Sequence, residues 1–293
     1  MLILSANRFG DIISSYKGHS IFAILLGTLF FLNPISIAMV LIGANLPDFD
    51  HDIKKINLYK MEIVGLVLFI ALYIANLPYF IGIILCVLPI IFYFSNHRGF
   101  THSLFGIIIL SILIFLVVVM FVAILSPFFS SFEWVNLNEN FFTQLPVSLI
   151  VIILAALTLN KKLIIPFLVL FLLSTLFSPE GLLNYVFSFH NSIFNYISYI
   201  VSSNSINFGF NYNFTDYIMI IFIFIPLFLG FLSHLILDSL TPAGIELFRP
   251  FSSKKFHKKF AGICFIFMLV LAILQYSSLI YIIMTYLQNI SYF

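Results

Sequence analysis

A chain of 293 residues that is 62% hydrophobic and 8% charged, with a mean hydropathy of +1.16, is not a water-soluble protein. A soluble domain carries roughly 25% charged residues and could not hide this much apolar surface, so a bilayer is the expected solvent. The net charge of +2 says little by itself and no nucleic-acid partner is expected, but the placement of the charges is informative.

The opening stretch, MLILSANRFGDIISSYK, lacks the sustained apolar core and small-residue cleavage site of a signal peptide, so no removal is expected. Apolar runs follow at about 20–32, 34–47, 61–76, 78–94, 103–126, 145–159, 163–178, 217–235 and 260–283. A helix rises 1.5 Å per residue and needs about 20 residues to cross a hydrocarbon core. The first two runs are shorter and are split by Asn33-Pro34. Proline lacks an N–H donor and disfavours helical angles in its predecessor, so these runs predict a short helical hairpin dipping partway into the membrane. Its turn must then be buried in protein. The expected fold is all-α, one polytopic membrane helical bundle over 1–293 with an N-terminal helical hairpin. Residues 127–144 and 179–216 are its long extracytoplasmic loops. Aromatic-rich 184–215 suits an interfacial position. No fixed-period repeat is visible, and Cys86 and Cys264 lie singly in apolar runs, which indicates neither a disulfide framework nor a thiolate metal site.

Alternating the spans from an inside N-terminus puts all thirteen Lys and Arg residues on one side. They are Arg8, Lys17, Lys54, Lys55, Lys60, Arg98, Lys161, Lys162, Arg249, Lys254, Lys255, Lys258 and Lys259. The opposite loops hold Glu133, Glu139, Glu180 and Asp216 without a base. The positive-inside rule assigns the basic side to the cytoplasm.

The same side collects the polar chemistry. KGHS places His19 at the start of the hairpin, and LPDFDHD places Asp48, Asp50 and His51 at its end. SNHRGFTHSL carries His97, Arg98 and His102 between two spans, and GFLSHLILDSLTPAG sets His234 and Asp238 four apart, on one helical face. Each residue alone has an ordinary role as an interfacial or helix-end group; Arg98 alone would snorkel to headgroups. Five of seven histidines on one face with three aspartates weigh against coincidence, because ionisable groups in membrane segments are costly. His190 reads as loop and His257 as part of a lipid-facing basic patch. Imidazole with carboxylate suits Zn, Mn or Fe, as one ion or as two about 3.5–4 Å apart. The hydroxyls of Ser20, Thr101 and Ser103 read as helix caps rather than nucleophiles.

LPDFDHD, HRGFTHS and SHLILDSLTPAGIELFRPF together resemble the YdjM-like family of LexA-binding, inner-membrane-associated, metal-dependent hydrolases. The resemblance runs from KGHS to the RPF motif near residue 250, while loops 127–144 and 179–216 carry no recognisable motif. It implies an all-helical membrane protein with a metal-dependent hydrolase site at the cytoplasmic face. His19, Asp48, His51, His102, His234 and Asp238 match as ligand candidates, and Asp50 and His97 as acid–base groups. No stretch reads as a dedicated docking module for the LexA partner of the family's title. The expected chemistry is hydrolysis of an ester, foremost a lipid or lipid-linked phosphoester, with Arg98 binding developing negative charge. The rivals are a transporter or channel using the same cluster, which transporters place nearer the midplane, and a non-catalytic metal-binding scaffold.

Overall fold

The computed structural model describes residues 15–31, 33–50, 55–95, 99–130, 139–176 and 223–290. Among them the regular structure is helical: α1 (Tyr16–Phe30), α2 (Pro34–Asn45), α3 (Lys55–Ile74), α4 (Phe80–Phe94), α5 (Leu104–Ser130), α6 (Glu139–Thr158), α7 (Lys161–Leu176), α8 (Ile225–Leu240) and α9 (Lys258–Ile290). Two short 3-10 turns, Pro47–Asp50 and Phe100–His102, lie at the ends of α2 and α5. A single β-bridge joins Ile245 and Phe256.

The N-terminal hairpin forms as its sequence predicts. The Ser15 hydroxyl accepts from the Gly18 amide to cap α1, which ends where Phe31 turns extended. Asn33 then caps α2, its Oδ1 accepting from the Ile35 amide at 2.8 Å, with Pro34 at the first helical position. There the missing N–H is no loss, because the first-turn donors of a helix have no internal partner. Helix α2 has apolar residues all round and almost every one is buried. That pattern belongs to a central helix, and α1, α6, α7 and α8 pack around it.

Helices α2 and α8 approach backbone to backbone. A Cβ on Gly43 would collide with the backbone of Leu227, and one on Gly230 with the carbonyl of Val40. Two glycines facing opposite backbones let the helices approach along their main chains, a frequent device where lipid gives no hydrophobic drive for helix association.

The outer surface is apolar. Ile63, Leu66, Val67 and Ile70 of α3 and Ile263, Ile266, Leu269 and Ile273 of α9 are all exposed, the inverse of a water-soluble exterior. Among the described residues two helices are long and apolar enough to cross a membrane, Leu104–Leu125 and Lys258–Ser277; α2, α4, α8 and Pro146–Thr158 are apolar but shorter. The runs expected at 61–76, 78–94, 145–159 and 163–178 carry the helices Lys55–Ile74, Phe80–Phe94, Glu139–Thr158 and Lys161–Leu176. Both ends of the loop expected at 127–144 are helical, because α5 continues to Ser130 and α6 begins at Glu139. The loop expected at 179–216, with His190, lies outside the described residues.

Candidate metal centre

Four segments distant in sequence deliver side chains to one point. Helix α1 supplies His19, the turn after α2 supplies Asp48, the turn before α5 supplies His102, and α8 supplies His234 and Asp238 one turn apart. The Ser20 hydroxyl donates to Asn45 Oδ1 at 3.2 Å, and the Asn45 amide donates to the Leu41 carbonyl at 2.8 Å, tying the His19 turn of α1 to the end of α2.

Three atoms form a closed triangle. His102 Nε2 lies 3.0 Å from His234 Nε2 and 3.3 Å from Asp238 Oδ2, which is 3.4 Å from His234 Nε2. Around this face stand Asp48 Oδ1, 3.5 Å from His234 Nε2, and His19 Nε2, 3.5 Å from the other carboxylate oxygen of Asp238. The His19 ring stacks on His234 with centroids 4.0 Å apart. Side-chain exposure is at most 4% for His19, His102, His234 and Asp238, and 16% for Asp48. Asp48 therefore marks the accessible edge.

The hydrogen bonds outside the triangle fix what its atoms can do. His234 Nδ1 is 2.7 Å from the carbonyl oxygen of Ala44. A carbonyl only accepts, so Nδ1 carries the proton and the Nε2 of the neutral ring presents a bare lone pair to the cluster. His102 Nδ1 is held at 3.1 Å by the Thr101 hydroxyl, itself 3.2 Å from the Ser95 hydroxyl. A ligating histidine is commonly oriented in this way, through its second ring nitrogen.

A lone pair and two carboxylates aimed at one nearly dry point repel one another unless a cation or protons intervene. Tetrahedral coordination at 2.0–2.1 Å sets ligand atoms about 3.3–3.4 Å apart, and the triangle's edges of 3.0, 3.3 and 3.4 Å approximate such a face. Two overlapping sets, His19–His234–Asp238 and Asp48–His102–His234, keep their ligand atoms within 4.8 Å of one another and share His234. The buried Nδ1 of His19 has no hydrogen-bond partner among the described residues. The residues fit a first-row divalent ion bound by nitrogen and oxygen.

Of the expected site residues, His19, Asp48, His102, His234 and Asp238 are brought together. Asp50 lies in the same 3-10 turn as Asp48, while His51, His97 and Arg98 fall outside the described residues. Two of the three expected caps are corrected. Ser20 lies inside α1 and braces Asn45, and the Thr101 hydroxyl bonds the ring of His102. Ser103 does accept from the Gly106 amide at 3.0 Å, as a cap would. The sequence reading missed the Ala44 carbonyl, because a backbone acceptor leaves no mark in residue identity. Asn45 was legible in principle, as an amide in an otherwise apolar helix.

These features define a helical membrane protein with a buried histidine–carboxylate cluster. Residues 15–291, nearly the whole chain, match the family model described as YdjM inner membrane protein. The chain belongs to that family. No curated protein and no solved structure matches it.

Proposed function

We propose that this protein is a polytopic, membrane-embedded, metal-dependent hydrolase that cleaves an ester, foremost a phosphoester on a lipid or lipid-linked substrate, at the cytoplasmic face. The observation that carries it is the placing of His234, whose Nδ1 lies 2.7 Å from the Ala44 carbonyl and whose Nε2 stands in a triangle of ligand dimensions with His102 and Asp238. A divalent ion at such a site supplies Lewis acidity, activating water near neutral pH and polarising an ester oxygen.

The chain's own groups do the rest. His102, His234 and Asp238 would hold the ion, and His19 orients Asp238 through its outer oxygen. Asp48, at the accessible edge, would take the proton from the attacking water and return it to the leaving oxygen as the ester bond breaks. Burial of the other four excludes bulk water and strengthens every charge interaction inside. Asp50, His51, His97 and Arg98 keep the roles their motifs suggest, with Arg98 next in line to bind the phosphoryl charge. The thirteen basic residues on one side of the expected topology support a cytoplasmic orientation.

The test is purified full-length protein, analysed for divalent metal and screened against soluble and lipid-borne phosphoesters with and without chelator. Turnover that vanishes in His102→Ala and Asp238→Ala while the helices persist supports the hydrolase. Chelation that unfolds a protein without esterase activity identifies a scaffold. Ion flux through sealed vesicles, sensitive to the same substitutions, identifies a transporter.

A further inference from the structure

The segment between α8 and α9, residues 241–257, is tied to the starts of both candidate spans. It runs directly into Lys258, where one begins, and its Leu247 carbonyl accepts from the amide of Leu104, where the other begins, at 2.8 Å. Ile245 and Phe256 exchange backbone hydrogen bonds at 3.0 and 2.8 Å, and the Phe251 ring packs on Phe105 with centroids 5.0 Å apart. The segment is thus a braced element at the membrane boundary.

Its surface has two parts. Phe251 is 78% exposed and Phe248 41%, and apolar rings beside basic residues bury at the headgroup–acyl boundary. Beside them Lys254, Lys255, Lys258 and Lys259 are all exposed. The acid of this segment, Glu246, is engaged by Arg249 at 2.7 Å, and among the described residues no carboxylate pairs with the four lysines.

We propose that residues 248–259 form a binding platform for anionic phospholipid headgroups of the adjoining leaflet. The phenylalanines enter the interface, and the ammonium groups, of which Lys254 Nζ stands 6.0 Å from the Phe256 ring centroid, meet the phosphates. Exposed rings at a span boundary favour lipid over a soluble phosphate or an acidic protein. The platform adjoins the histidine cluster: His102 precedes Leu104 by two residues, and Thr241, which ends α8, follows Asp238 by three. A headgroup held there lies beside the candidate centre, yet the platform does not depend on hydrolysis.

The test reads lipid retention alone. Full-length protein is equilibrated with equal amounts of phosphatidylglycerol and phosphatidylcholine, and bound lipid is counted by native mass spectrometry. Wild type retains phosphatidylglycerol preferentially. A variant with all four lysines changed to Gln loses that preference about tenfold or more, given the contribution of each Lys near an anionic surface. Lys254→Gln/Lys255→Gln, which spares the start of α9, loses part of it, and Phe251→Ser weakens retention of both lipids. Equal retention of the two lipids by wild type, or an unchanged preference in the fourfold variant, overturns the proposal. So does full displacement of the lipid by inorganic phosphate, which would identify a free anion as the occupant.

Discussion

The Nε2 atoms of His102 and His234 face each other at 3.0 Å across 132 residues of chain. Because His234 Nδ1 is committed to the Ala44 carbonyl, its single remaining lone pair can join one ion only. The two overlapping ligand sets both require that lone pair, so a second ion would be left two ligands short of a stable shell among the described residues. We expect one divalent ion per chain. Elemental analysis of purified protein measures it, and a ratio near two contradicts it. His234→Ala should weaken binding by at least the ~100-fold that loss of a strong outer partner can bring.

The candidate metal centre depends on how closely α8 lies against α2. Gly43→Ala or Gly230→Ala forces the two backbones apart, since each new methyl meets main chain that cannot rotate away. Such overpacking costs roughly 1–3 kcal/mol. It also draws His234 from the Ala44 carbonyl, so thermal stability and metal affinity should fall together. Measurements of both on the detergent-solubilised variants check this; unchanged metal affinity at reduced stability would separate the packing from the site.

Much of this arrangement is legible in the sequence, for physical reasons. Asn33-Pro34 encodes the hairpin because a capping amide followed by proline starts a helix whatever the surroundings. The spacing of His234 and Asp238 encodes a shared face because helical geometry is local. Depth and tightness are not local. Nothing in the identity of Ala44 announces a carbonyl that fixes a tautomer, and the use of Thr101 as a partner for His102 rather than as a cap follows from which elements surround it. The helix limits at Ser130 and Glu139 were hidden likewise, since the polar residues of 127–144 read as loop until the helical hydrogen bonds are seen to continue through part of them.

Thr101 offers a test of metal orientation that spares the ligands. Thr101→Val keeps the shape of a fully buried side chain and removes the hydroxyl at 3.1 Å from His102 Nδ1. The ring loses that hydroxyl contact, and metal affinity should fall 10–100-fold, the usual effect of such a loss. Competition with a chelating dye measures the affinity, and circular dichroism verifies the helices. Unaltered affinity would mean that His102 takes no part in holding the ion.

Asp48 and Asp238 are both carboxylates beside His234, yet their settings predict different failures. Asp238 divides its oxygens between His19 on one side and the two triangle histidines on the other, with 4% of its side chain exposed. Asp238→Asn replaces an anionic ligand with a neutral amide inside a dry cluster, so the protein should lose its ion and its turnover together. Asp48 meets the triangle at His234 and is 16% exposed. Asp48→Asn should retain nearly stoichiometric metal while turnover falls by a factor on the order of 100 to 10,000, the range a positioned proton acceptor contributes. Metal content and turnover measured on the same preparations decide the matter: if Asp48→Asn loses its ion as Asp238→Asn does, Asp48 is a ligand and the base must be sought elsewhere.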